Sequence, residues 1–120
     1  VPPVAFADLD LPASGESSAT IAARVAAARD RQAIRFAEAP DLRVNADLEG
    51  GALEEHAAPD AEGKALIGRV AERMGLSARG YHRVLRVART IADLEASPTV
   101  RKPHIAEAIS FRLATAIGGI

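Results

Sequence analysis

The segment at residues 77–95, SARGYHRVLRVARTIADLE, contains four arginines and is the part of this chain best suited to bind an anion. At about 100° of rotation per helical residue, Arg79, Arg83, Arg86 and Arg89 share an arc of about 120°. Three other polar residues lie on the same arc: His82, Thr90 and Asp93. Apolar residues cover most of the remaining surface. The pattern therefore predicts a helix with one face in a core and an arginine-rich face that can meet an anion.

Other kinds of chemistry have little support in the sequence. His56, His82 and His104 lie in three separate segments without metal-ligand spacing, and no cysteine is present to complete a zinc site. We therefore predict surface or interhelical histidines and no metal site. The Gly63–Lys64 pair lacks the earlier glycine of a phosphate-binding loop and is followed by alanine. No serine stands in a nucleophile elbow, so we predict that this chain alone is not an enzyme.

Arg79 is the arginine best placed for a phosphate. It falls in the first predicted turn, where backbone amides and the helix dipole favour anions, and its guanidinium is planar and permanently charged. The alternative is that the arginines only solvate the helix surface and pair with Glu72, Asp93 or Glu95. Spacing alone leaves both interpretations open.

Composition limits the size and type of the molecule. The chain has 120 residues, of which 48% are hydrophobic and 3% aromatic, which favours one domain of closely packed helices. Its formal net charge of -1 argues against an overall polyanion binder. The absence of cysteine excludes disulfides and is compatible with a reducing cytoplasm. No apolar run approaches the ~20 residues of a membrane span, so we expect a cytoplasmic protein without a membrane partner.

The elements that position the arginines are predicted to be five helices, mostly antiparallel, with no interior strand. Residues 1–16 are rich in proline and predict an extended lead-in whose abrupt start resembles a cut end. Helix boundaries follow from capping residues and glycine stops. The predicted helices run from Ser17 or Ser18 to Phe36, from Gly51 to Ala57, from Asp60 to Gly75, from Ser77 to Ala96, and from Pro103 to Ala116. A β-like pair is predicted at Thr99 and Val100.

These motifs, taken together, resemble a known family. Residues 77–95, followed by HIAEAISFR at 104–112, closely resemble the C-terminal domain of magnesium-chelatase-like AAA+ ATPases of the YifB and ComM type. The stretch ESSATIAARVAAARDRQAIRF at 16–36 and NADL at 45–48 resemble further elements of that family. The resemblance covers nearly the whole chain.

The resemblance implies a helical lid that closes over a nucleotide. It divides the chain into a lead-in at 1–16, coming from an ATPase core that is absent here, and a lid domain at 17–120. By position in the family pattern, Arg79 corresponds to the second-sensor arginine. Arg86 and Arg89 fall on positions occupied by arginine in the similar helix of the chelatase ATPase subunit, and would support the nucleotide site, the subunit interface or the fold. Arg83 is left as a solvated neighbour of these residues.

The same resemblance implies the wider function. The parent protein would be an ATPase that uses ATP and Mg²⁺, with neither expected on the isolated fragment. Its partners would be the upstream core and neighbouring subunits of a ring, with a hexamer as the candidate arrangement, and DNA as a candidate substrate in competence or recombination. The alternative from the residues is a free-standing helical module that binds nucleic acid or protein through its arginine face.

Overall fold

The computed structural model describes residues 17–39 and 41–118, with side chains described up to residue 111. Over this part of the chain it contains five α-helices, as predicted, and a single 3-10 helix that was not predicted. In chain order they are α1 (Ser18–Arg35), the 3-10 helix (Asn45–Asp47), α2 (Gly50–Ala57), α3 (Ala61–Met74), α4 (Ala78–Leu94) and α5 (Lys102–Gly118). The all-α prediction is confirmed. The predicted extended lead-in at 1–16 lies outside the described residues.

Capping residues set the helix boundaries at the predicted places. The Ser17 hydroxyl accepts a hydrogen bond from the Thr20 amide at the start of α1. Asp60 does the same for α3 and Ser77 for α4, at 2.8 Å and 3.1 Å. Gly75 ends α3 in the left-handed region with φ 62°, which an L side chain rarely adopts. Only Leu76 separates this glycine from the cap of α4, so α3 and α4 turn sharply.

Helix α4 is the centre of the domain. It packs against α1, α2, α5 and the 3-10 helix, while α3 packs against α5. Its apolar side supplies four of the buried core residues: Val84, Leu85, Ala88 and Ala92. Other elements contribute further fully buried side chains, among them Leu48, Leu53, Ile67, Val100 and Ile105. The arginine-bearing helix is therefore held on several sides, and its position is fixed by the core.

The connection between α4 and α5 differs in detail from the prediction. Val100 forms an isolated parallel bridge with Pro59 instead of pairing within a Thr99–Val100 unit. The Asp60 amide donates to the Val100 carbonyl at 2.8 Å, which joins the segments that precede α3 and α5. Helix α5 begins at Lys102, one residue before the predicted Pro103. None of the described helices is long and apolar enough to cross a bilayer.

Candidate functional site

Arg79 is the second residue of α4 and its side chain is exposed. Within the described part of the chain, its guanidinium makes no hydrogen bond and no ion pair. An exposed arginine without a partner at a helix N-terminus has both its own charge and the helix dipole available for an anion. The predicted sensor residue thus lies where a ligand from outside this domain can reach it.

Arg79 lines an open cavity of about 480 Å³ together with His82 and Arg86. The rest of the lining comes from the segment before and at the start of α2, at Glu49 and Gly50, with Ala46 of the 3-10 helix. The two arginines supply two positive charges, and the Glu49 carboxylate supplies one negative charge. The cavity therefore has a net positive lining, and its basic side chains all belong to α4.

Arg86 is less exposed than Arg79. It is half-buried and donates a hydrogen bond to the Leu48 carbonyl at 3.1 Å. A guanidinium has several further N–H donors in a planar fork, so this bond leaves others for a ligand. Arg86 therefore fastens the segment before α2 and also lines the cavity.

Arg89 occupies a different environment from the other three arginines. It is only 3% exposed and donates to the carbonyls of Ser97, Pro98 and His56, at 2.8, 3.2 and 3.4 Å. Its Nη2 also pairs with Asp93 at 3.1 Å. Burial lowers the pKa of Arg89, and the charge of Asp93 opposes that shift. Among the roles implied for Arg89, these contacts match support of the fold.

The arginine-rich face of α4, which was predicted to be able to meet an anion, is covered at its C-terminal end. Both Arg89 and Asp93 are buried there, at 3% and 0% exposure. The helical arc was correct, but the chain outside α4 covers this part of it. Arg83, by contrast, is exposed and has no hydrogen bond or ion pair within the described residues.

Asp93 is the centre of a buried polar network. Arg35 of α1 donates to both carboxylate oxygens, at 2.6 and 3.0 Å, and Asn45 of the 3-10 helix donates at 2.8 Å. Burial by itself would raise the pKa of Asp93. The hydrogen bonds from Arg35 and Asn45 and the charges of Arg89 and Arg35 outweigh burial and hold that pKa below its usual range.

The network extends along α1. The backbone amide of Asn45 and the Arg29 guanidinium both donate to the Gln32 side-chain oxygen, at 3.3 and 3.2 Å. Arg31 adds a bond to the Asp93 carbonyl at 3.1 Å. These contacts fasten the 3-10 helix to α1 and α4, and so place one wall of the arginine cavity. Sequence reasoning noted Asp93 as an arginine partner but gave no role to Gln32, Arg35 or Asn45.

A second cavity adjoins the first and has a more apolar lining. Its volume is about 540 Å³, and its walls include Leu53, Tyr81 and Leu85 from α2 and α4. Gly50 and His82 line both cavities, so the two meet at these residues. The α4 N-terminal region thus presents a basic cavity and an apolar cavity side by side.

The other two histidines, His104 and His56, contact residues within the domain. His104 is buried, its Nδ1 accepts from the Arg101 amide at 2.9 Å, and its Nε2 therefore donates to Glu95 at 3.0 Å. His56 packs edge-on against Phe36, with ring centroids 5.4 Å apart. The described residues contain no group of three or more potential metal ligands.

Comparison with known proteins supports the resemblance. Residues 15–112 match the family model described as magnesium chelatase, subunit ChlI C-terminal. The uncharacterized protein YifB of Salmonella typhimurium is 38% identical over 98 residues, which is 82% of this chain and 18% of that protein. The competence protein ComM of Haemophilus influenzae is 34% identical over 98 residues, again 82% of this chain and 18% of the relative.

A mycobacterial relative gives the same result. An uncharacterized protein of Mycobacterium tuberculosis is 35% identical over 100 residues, which is 83% of this chain and 20% of that protein. The chain therefore spans about a fifth of the length of the curated relatives it matches. Because the family model covers most of its residues, this chain belongs to the family of magnesium chelatase subunit ChlI C-terminal domains, with YifB and ComM among its relatives.

Proposed function

We propose that this chain is the helical lid of a magnesium-chelatase-like AAA+ ATPase and that Arg79 contacts a phosphate of the bound nucleotide. The observation that carries the proposal is that the Arg79 guanidinium is accessible and unpaired within the described residues. It is exposed, lacks a partner within the described residues, lies at the N-terminus of α4, and shares a cavity with Arg86. These are the properties of a guanidinium that completes its contacts with a ligand.

The rest of the nucleotide site would belong to a different part of the protein. This sequence contains no phosphate-binding loop, so the ATP and its Mg²⁺ would be held by an upstream core. The relatives are about five times as long as the segment they share with this chain, which leaves room for such a core. The lid would add positive charge where negative charge accumulates on the transferring phosphoryl group.

The buried network gives the lid a way to move as one body. Asp93 and its partners join α1, the 3-10 helix and α4, so a displacement of α1 carries Arg79 with it. In this proposal, closing the lid brings Arg79 to the phosphate, and hydrolysis releases it. A ring of such subunits would convert that movement into work on a substrate. Since one relative is named a competence protein, we propose DNA as that substrate.

The test is Arg79→Ala in the full-length ATPase, with Arg83→Ala as the matched control. Arg83 lies on the same helix, is also exposed, and does not line the Arg79 cavity. We expect Arg79→Ala to lower the ATP turnover number by about 100-fold, because a donor to the developing charge is lost. Arg83→Ala should keep wild-type turnover, and both variants should keep the wild-type melting temperature. Wild-type turnover in Arg79→Ala would remove Arg79 from this role.

A nucleic-acid-binding module is the second candidate, since both Arg79 and Arg83 are exposed without partners in the described region. Phosphate contacts of this kind weaken steeply with salt. If this function is correct, Arg83→Ala lowers the affinity for duplex DNA and the salt slope while ATP turnover stays constant. Equal DNA binding by wild-type and Arg83→Ala proteins would count against it.

A further inference from the structure

We infer that His82 is a third ligand-contacting residue of the Arg79 cavity and makes the binding of a phosphorylated ligand depend on pH. This inference rests on the proposed function, because it takes the ligand to be a nucleoside triphosphate. It assigns a role to the one histidine of the described chain that faces a basic cavity.

The placement of His82 follows from the helix repeat. Residues 79, 82 and 86 fall within about 60° of one another on α4, and their side chains line the same cavity. The His82 ring is half-buried and contacts Tyr81 edge-on, with centroids 6.2 Å apart. Within the described residues, neither ring nitrogen has a hydrogen-bond partner. The two nitrogens are therefore available to a ligand in the cavity.

The charged groups near His82 belong to α4, to α2 and the residue before it, and to α3. On the side of the basic cavity they are Arg79 and Arg86 of α4 and the carboxylate of Glu49, which precedes α2. These three groups leave a net charge of about +1 next to the ring. Protonation of His82 would raise it to about +2, a large relative change in a small space.

On the side of the apolar cavity, the charged groups are Glu54 of α2 and Lys64 of α3, together with the phenol of Tyr81. The Glu54 and Lys64 charges are opposite and offset each other. The apolar cavity therefore adds no net charge next to the ring. Because His82 lines both cavities, it is also where the anionic and apolar parts of one bound ligand would meet.

Histidine is the side chain that changes its charge between pH 5 and 8. A neutral ring in this position donates a hydrogen bond to a phosphate oxygen that is already anionic, whereas a protonated ring also places a positive charge on the donor and so strengthens the bond. Ligand binding should therefore strengthen as the pH falls. The difference corresponds to about fivefold in affinity.

The experiment measures the dissociation constant of a non-hydrolysable ATP analogue with Mg²⁺ on the full-length protein at pH 8 and pH 5.5. The informative quantity is the ratio of the two constants in each variant, divided by the wild-type ratio. The variants are His82→Gln, which stays neutral, and His82→Lys, which stays charged. His56→Gln is the matched control, because His56 is also half-buried but lines neither cavity. The ligand and the cavity carboxylates titrate in all variants, so their effect cancels when each ratio is divided by the wild-type ratio.

We expect His82→Gln to bind like wild type at pH 8 and about fivefold more weakly than wild type at pH 5.5. His82→Lys should bind about fivefold more tightly than wild type at pH 8 and like wild type at pH 5.5, and His56→Gln should follow wild type throughout. A wild-type pH response in His82→Gln would overturn the inference. Failure of the proposed function is distinguishable, since in that case Arg79→Ala binds the analogue as wild type does at both pH values. Melting temperatures at both pH values confirm that each variant is folded.

Discussion

Replacing Asp93 by alanine tests whether the buried network holds the lid together. Asp93 is fully buried, accepts hydrogen bonds from Arg35 and Asn45 and forms an ion pair with Arg89, so its removal affects three partners from three parts of the chain. Arg35 keeps 16% of its side chain exposed and can turn to water. Arg89 has no such route, because its side chain is only 4% exposed and its Nε already lacks a partner within the described residues.

The size of the stability loss follows from how well Arg35 and Arg89 are solvated once Asp93 is removed. Removing one partner of a buried ion pair leaves an uncompensated charge and costs about 3–5 kcal/mol. Solvation of the Arg35 side chain recovers part of this, so we expect a loss of about 3 kcal/mol in the free energy of unfolding. A domain of this size has a total stability of about 5–15 kcal/mol. Asp93→Ala should therefore be folded at low temperature but lose a large fraction of its stability.

Urea denaturation of the wild-type and variant proteins, followed by circular dichroism, measures this loss. Asp30→Ala is the control, because Asp30 is an exposed aspartate on α1 and such changes usually stay within about 0.5 kcal/mol. The loss of stability in Asp93→Asn should lie between the losses in Asp93→Ala and Asp30→Ala, because the new amide keeps one acceptor oxygen but has no charge. A loss below about 1 kcal/mol in Asp93→Ala would show that the buried network does not hold the helices together.

Two further predictions concern pH and packing. Because the pKa of Asp93 is lower in the folded than in the unfolded protein, its contribution to stability is present above the unfolded value near 3.9 and is lost as pH falls through the folded value. Between pH 5 and pH 2, the free energy of unfolding should therefore decrease more in wild type than in Asp93→Asn, as measured by urea denaturation; equal decreases would contradict this. Gly63→Ala should cost about 1–3 kcal/mol, because the new Cβ would lie 2.9 Å from the Asp60 Oδ1 atom and 3.1 Å from the Pro59 Cβ atom. Gly68→Ala on the same helix meets nothing within 4 Å and should stabilise by about 0.5–1 kcal/mol, so the two thermal melts should shift in opposite directions.

The helices of this protein were predictable because their signals are local. Ser17, Asp60 and Ser77 cap helices through hydrogen bonds that reach only three residues along the chain. Gly75 stops α3 through its own backbone conformation. The 3-10 helix was missed since its Asn45 is held by side chains 13 and 48 residues away, which no local pattern shows.

The candidate site was predictable in part. Helical periodicity correctly placed Arg79, His82 and Arg86 on one face, and they line one cavity. The same periodicity placed Arg89 on that face without indicating that it would be covered. The carbonyls that bind Arg89 belong to residues 8, 9 and 33 positions away, so its burial depends on how the loops fold over α4.

Five helices, their caps and the direction in which each α4 side chain leaves the helix follow from local patterns of residues, because these depend on rotation per residue and on neighbours within one turn. Which arginines remain accessible to a ligand depends instead on how the helices and loops pack. Arg79 stays exposed because nothing in the described chain covers the start of α4, whereas Arg89 is enclosed by Asp93 and three carbonyls. Burial and ion pairing differ along the helix because they depend on contacts between residues that are far apart in the sequence.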